Sequence, residues 1–296
     1  MQKYLFIVLV LLTSQSVAAE VALKFTELKA RLDKEVPSIL KKHNAPGMAL
    51  AFVKGDKLLG FLPYSYANVK RKTLIDESTM FNVGSISKVA AAWGVMQLVQ
   101  QGSVELHKPI EHYVKGWKIP KSEFSSEKVT LSNILSHTSG LSLSGYNGLG
   151  PEDKIPTIID SLNGNNSGDG PVRLIHEPDT KWSYSGGGYS VVQLLIEEVS
   201  GMPFSQYMSQ NVFVPLGMKD STFNITDEVM RRSATPYDEK GNETPMVYFA
   251  ESAAAGLQTT AVDLARFTMA ILRNKTGKYN GEQILAASFI DNMIVP

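Results

Sequence analysis

From Ile86 to Val99 the chain is apolar almost all the way round a helix, with Val89, Ala90, Trp93, Met96 and Leu98, yet Lys88 lies inside it. A helix apolar on every side belongs in the middle of a domain, and Gly102 is placed to end it. An ammonium enclosed in this way loses its hydration unless it is paired or neutral. Ser85 precedes it by three residues, which puts the two on one helix face, a turn apart. Desolvation lowers a lysine's pKa and lets it take a proton. A serine at a helix N-terminus meanwhile gains unpaired N–H groups and a favourable dipole for an oxyanion. The plainer alternative is a lysine that snorkels to the surface.

A buried helix needs a substantial core around it. Apolar residues make up 43% of the chain and charged residues 20%, an ordinary globular balance. The first nineteen residues read separately: Lys3, an apolar run from Tyr4 to Leu12, then Val17-Ala18-Ala19. This is the layout of a secretory signal peptide, so residues 1–19 are expected to be a leader and residues 20–296 one domain, periplasmic or secreted. No later stretch approaches membrane-spanning length, so no membrane span is expected after leader removal. Basic and acidic residues number 29 each, and a net charge of zero argues against nucleic acid or an anionic membrane as partner. There is no cysteine, hence no disulfide and no thiolate metal site. Nothing in the sequence sets an oligomeric state.

Local patterns supply the elements. Residues 21–42 have helical spacing of Leu23, Leu28 and Leu32, with Pro37 expected to disturb the later part. Ala49–Val53 and Leu58–Leu62, separated by Lys54-Gly55-Asp56-Lys57, predict a β-hairpin. Thr130 is placed to cap a short helix through Ser136, and His137-Thr138-Ser139-Gly140 forms a turn. Asn163–Gly170 reads as a polar loop. Tyr189–Val199 is a helix with a buried face, closed by Ser200-Gly201, and Thr260 with Asp263 starts another over Ala261–Leu272. A hairpin first and helices in the middle predict a mixed α/β (α+β) fold with a large helical region.

The Ser-x-x-Lys spacing of Ser85 and Lys88 recurs at Ser38–Lys41 and Ser125–Lys128. There the neighbours are charged and the lysines can sit in water. Tyr184, in Tyr184-Ser185-Gly186, follows Ser85 by 99 residues and precedes a helix, where a tyrosine can serve as a second proton carrier or simply pack. Tyr66-Ala67-Asn68 spells Tyr-x-Asn, but in the region after the hairpin, where a strand or loop is expected. No Gly-x-Ser-x-Gly elbow occurs. The histidines at 43, 107, 112, 137 and 176 include no ligand pair, and each is expected at the surface or in a turn, so no metal is expected. Gly186-Gly187-Gly188 lacks the Lys-Ser/Thr and dinucleotide spacings of phosphate-binding loops.

Several segments, taken in order, resemble the serine β-lactamase and penicillin-binding-protein-like family, in particular its class C-related branch. They are Ala45-Pro46-Gly47, Phe81 to Lys88, Leu135 to Leu141, Tyr184 to Tyr189, Pro215 to Met218 and Gly256 to Phe267. The resemblance implies an antiparallel sheet flanked by helices and an acyl-enzyme mechanism without cofactor. In it Ser85 is the nucleophile, and Lys88 and Tyr184 shuttle its proton. The implied partner is a small-molecule acyl substrate: a β-lactam, a D-alanyl peptide or a small ester.

Two departures stand out. Where the family carries Tyr-x-Asn this chain has Gly186, a substrate-binding position without the side-chain amide, which favours esters or other acyl groups. The family's third motif, Lys/His-x-Gly on an inner strand, is expected beyond Pro296 together with the C-terminal strands, which would then be missing from this chain. Lys275-Thr276-Gly277 spells that motif in a polar turn and is expected to be coincidental. Both departures also suit an alternative: a non-catalytic protein of the same fold that binds peptidoglycan-like or acylated ligands.

Overall fold

The computed structural model describes residues 23–166, 168–272, 278–279 and 282–294. The expected leader and Lys275-Thr276-Gly277 lie outside these residues. The first helix, α1, covers residues 23–42 and runs through Pro37 without a break. Pro37 faces solvent, so the carbonyl it leaves without a partner one turn earlier can be hydrated and the expected disturbance does not follow.

The hairpin forms as expected, with β1 (Gly47–Lys54) antiparallel to β2 (Lys57–Asn68), a bulge between Phe52 and Val53, and β2 paired in turn with β3 (Thr73–Leu74). Gly55, at φ +58°, supplies the left-handed turn residue. Alternation along β1 sorts its two faces. Met48, Leu50 and Phe52 pack with Val36 and Leu40 of α1, while Ala49 faces Ala261 and Leu264 on the other side.

The larger core belongs to the helices. After β4 (Phe81–Asn82) and a 3-10 turn at Gly84–Ile86 comes α2 (Ser87–Gln100), whose Trp93 and Val95 are completely buried. Gly102, at φ +76°, ends it. Around it lie α3 (Leu131–Leu135), with the Thr130 capping box, α4 (Ile158–Leu162) and α5 (Gly186–Ser200), then α6 (Phe204–Met208), α7 (Asp227–Arg232) and α8 (Ser252–Ala255). β5 (Gln258–Thr259) pairs with β4, and α9 (Ala261–Leu272) follows.

α9 packs against both β1 and β2, and its Phe267 meets Trp93 edge-on at 5.3 Å. It is the layer between sheet and helical core. Thr260 caps it by accepting from Asp263 N–H at 3.1 Å, but Asp263 does not close a capping box. Its buried carboxylate instead accepts from Asp220 N–H and the Ser221 hydroxyl and pairs with Arg266. The ribbon β6 (Lys278–Tyr279) with β7 (Glu282–Gln283), then α10 (Ala287–Ile294), complete the described chain. The fold is mixed α/β, a small antiparallel sheet flanked by helices, and no described helix is long and apolar enough to cross a membrane.

Candidate active site

Ser85 sits in the 3-10 turn just before α2 rather than in its first α-helical turn, and it is exposed. The turn is fastened from behind. Asn82 accepts from Gly84 N–H at 3.0 Å and donates to Ala255 O at 3.2 Å, and Val83 N–H donates to Leu257 O at 3.1 Å. The completely buried Ser87 hydroxyl donates to Gly84 O at 2.6 Å and accepts from Leu257 N–H at 2.9 Å. Gly84 at φ +50° makes the bend into this turn. The serine is therefore presented on a rigid corner braced by the segment that joins α8 to β5.

Lys88 does not snorkel: it is 5% exposed. Its Nζ donates to Ser85 Oγ at 3.1 Å and to Ala254 O at 2.7 Å. Among the described residues no carboxylate pairs with it. Burial holds its pKa below the usual lysine value, with Tyr184 beside it pulling the other way. The ammonium lies 5.0 Å from the Tyr184 ring centre and 5.7 Å from that of Tyr189, within cation–π range. Burial pushes the Tyr189 hydroxyl well above its ordinary pKa, so Tyr189 keeps its proton, and that hydroxyl donates to Leu135 O at 3.3 Å.

Tyr184 comes to this corner on the loop before α5. Ser185 caps that helix, accepting from Gly188 N–H at 2.8 Å and donating to Ser142 O at 2.9 Å. Gly186 and Gly187 both donate to Leu143 O, at 2.6 and 3.1 Å. A Cβ at Gly187 would lie 2.4 Å from Ser142 O, so only glycine fits there. A Cβ at Gly186 would meet the Tyr146 ring and Leu143 O at 3.3 and 3.4 Å. The space beside Gly186 is thus bounded by the 142–146 segment.

His137 lies in a turn, as expected, and its ring also joins the site. Its backbone does turn, at φ +61°, but the ring is partly buried and lies 4.4 Å from Tyr184, 5.5 Å from Tyr189 and 6.0 Å from the exposed Trp182. Its Nδ1 accepts from Ser185 N–H at 3.1 Å, which places the proton of the neutral ring on Nε2. Burial, and then the charge of Lys88, lowers its pKa to about 4. The segment Leu135–Leu141 signalled importance by resemblance. The role of Ala254 had no signal, because a backbone carbonyl leaves no mark in the residue type.

The other candidates stay apart. Ser38 and Lys41 are exposed on α1, with the Ser38 hydroxyl turned to Glu35 O. Lys128 pairs with Glu177 at 2.6 Å. Asn68 of Tyr66-Ala67-Asn68 ends β2 and donates to Thr235 at 2.6 Å. Among the described residues no group of three or more His, Cys, Asp or Glu gathers as a metal site. What the corner can do chemically is move a proton among a hydroxyl, an amine and a phenol.

The beta-lactamase family model matches residues 31–291. The chain is similar to the putative penicillin-binding protein PbpX of Bacillus subtilis (strain 168), 27% identical over 249 residues, which cover 82% of this chain and 59% of that protein. Among solved structures it is similar to the octameric penicillin-binding protein homologue from Pyrococcus abyssi (25% identity, TM-score 0.73, 88% of this chain and 59% of that one). It also shares the fold of the D-alanine carboxypeptidase AmpC from Burkholderia cenocepacia (22% identity, TM-score 0.70, 90% of this chain and 69% of that one). The chain spans about three fifths of the length of its curated relative PbpX. With the match running from residue 31 to 291 and the fold shared, the chain belongs to the beta-lactamase family.

Proposed function

We propose that the protein is an exported serine acyl-hydrolase in which Ser85 is the nucleophile and Lys88 and Tyr184 carry its proton. The observation that carries this reading is Lys88: buried, without a carboxylate partner among the described residues, and 3.1 Å from Ser85 Oγ. A lysine with a lowered pKa can act in its neutral form as the base. Ser85 Oγ then attacks the substrate carbonyl while Lys88 Nζ accepts the hydroxyl proton. As the carbon–oxygen or carbon–nitrogen bond to the leaving group breaks, that proton passes by way of the Tyr184 hydroxyl to the leaving atom. Water next attacks the acyl-serine, giving the free acid and restoring Ser85 Oγ–H. The Ser85 N–H, in the first turn at a helix start where amides lack intrahelical partners, is placed to donate to the oxyanion. A single donor of this kind typically contributes about 10²–10³ in rate.

The substrate class follows from Gly186. Without a side-chain amide there, nothing at that position orients an acyl-amide, so esters and compact acyl groups fit this site better than D-alanyl peptides or β-lactams. The leader pattern of residues 1–19 supports a periplasmic or secreted location for a hydrolase domain spanning residues 20–296. Intact mass after exposure to a fluorophosphonate tests the reading. One adduct is expected, lost in Ser85→Ala and kept in Ser38→Ala and Ser125→Ala. A chain that stays unlabelled, or an adduct that survives Ser85→Ala, favours a non-catalytic binding protein or a different nucleophile.

A further inference from the structure

Tyr184 reaches the site from residues 182–185, a stretch in neither helix nor strand just before α5. No helical or sheet ladder fixes its backbone, so the phenol is only as well placed as the contacts on either side of it. Both of those contacts lead to one residue. On the N-terminal side, Ser183 N–H donates to the His137 carbonyl at 2.7 Å. On the C-terminal side, Ser185 N–H donates to His137 Nδ1 at 3.1 Å. Between the two bonds the His137 ring lies against the Tyr184 ring, with centres 4.4 Å apart and planes tilted by 38°.

His137 is itself anchored to the end of α3. Its N–H donates to Ile134 O at 3.2 Å, and Thr138 N–H donates to Asn133 O at 2.8 Å. Thr138 extends the attachment, its carbonyl accepting from Asp179 N–H at 2.8 Å and its hydroxyl donating to the Asp179 carboxylate at 3.0 Å. The backbone of His137 stands at φ +61°, a left-handed conformation that histidine and asparagine accept more readily than most side chains. Burial and the charge of Lys88 keep the ring neutral, so Nδ1 remains an acceptor. With Ser185 N–H bound there, Nδ1 is not free to take a proton from a substrate.

We infer that His137 is the positioning residue of Tyr184: by its carbonyl and its Nδ1 it grips the residues on both sides of the tyrosine, and so carries the rigidity of α3 to the phenol beside Lys88. Its effect on turnover rests on the reading of Tyr184 as a proton carrier. The grip on the loop does not.

Two substitutions that both accept φ +61° test this in the full chain. His137→Asn puts Oδ1 one bond from Cγ, as Nδ1 was, and loses the rest of the ring. His137→Gly keeps the carbonyl and loses acceptor and ring together. In the ¹⁵N-labelled parent a ¹⁵N–¹⁵N coupling across the hydrogen bond is expected between the Ser185 amide and His137 Nδ1. Hydrogen exchange at the Ser185 amide is expected to stay slow in His137→Asn and to quicken at least about tenfold in His137→Gly. With 4-nitrophenyl acetate, His137→Gly is expected to lower kcat at least about tenfold while KM stays within about twofold, because a loosened proton carrier costs rate and not ground-state binding. His137→Asn is expected to keep kcat within about threefold of the parent. An absent coupling, an Asn variant as slow as the Gly variant, or a Gly variant with fast Ser185 exchange and parent kcat would each overturn the proposal. Spectra that match the parent away from residues 137 and 183–185 show each variant folded, and the coupling is read on the unsubstituted chain. Parent turnover in Tyr184→Phe would instead overturn the proton-carrier reading, which neither the coupling nor the exchange depends on.

Discussion

Lys88 was legible from sequence because the helix it opens is apolar from Val89 to Met96, although Ile86 and Val89 on its own turn prove to be half-exposed. If it and Tyr184 share one proton path, their losses do not add. Tyr184→Phe should lower ester turnover by roughly 10²–10⁴ with little change in stability. Combining it with Lys88→Ala should be little worse than the poorer single variant, and losses that multiply in full would argue for separate roles. His137 was not legible in the same way, because its burial comes from Tyr184, which arrives from 47 residues further along the chain. Its pKa is held down to about 4 by burial and Lys88. The unfolded chain therefore takes up this proton first. The stability linked to His137 is complete above its ordinary value of 6.5 and is lost as pH falls towards about 4. Urea midpoints should fall less steeply over that window in His137→Asn than in the parent. Glu197, Glu251 and Asp263, whose pKa values are raised by burial, are common to both proteins and cancel in the difference. Equal slopes would assign the acid sensitivity elsewhere.

Among the elements, those with a local cause were read correctly: the hairpin from its alternation and Gly55, α3 from its Thr130 cap, α2 from its apolar run. α5 was read as starting at Tyr189 but starts at Gly186. Three glycines are poor helix formers, each roughly 1 kcal/mol worse than alanine, so no local pattern extends the helix back to Gly186. What does so is the Ser185 cap together with Leu143 O, which comes from a distant loop. This ordering by contact rather than propensity makes the first turn sensitive to shape. Gly187→Ala should destabilise the protein by at least about 2 kcal/mol despite alanine's better propensity, since its Cβ would collide with backbone. Gly186→Ala should stay within about 1 kcal/mol of the parent, because its contacts are only tight and the helix gains propensity. Urea denaturation of the two variants side by side checks the contrast.

Over the whole molecule, composition and element order were enough for the mixed α/β class, but the meeting of Lys88 with Tyr184 was carried by resemblance, since no local rule joins residues 96 positions apart. The division into two apolar clusters, one under α1 and the hairpin and one among the helices, could not be read from periodicity, which gives faces and not partners. α9 stands between sheet and helices, and that position has a dynamic consequence. A small cluster held to a large one by α9 and by the end of β2, where Ala67 O accepts from Thr235 N–H and Asn68 donates to Thr235, can open while the large one stays folded, as a separate cooperative unit. Amide hydrogens of β1 and β2 should then exchange through openings of lower free energy than those of α2 and α5. Phe267→Ala, by removing the ring that meets Trp93, should lower the protection of the hairpin first.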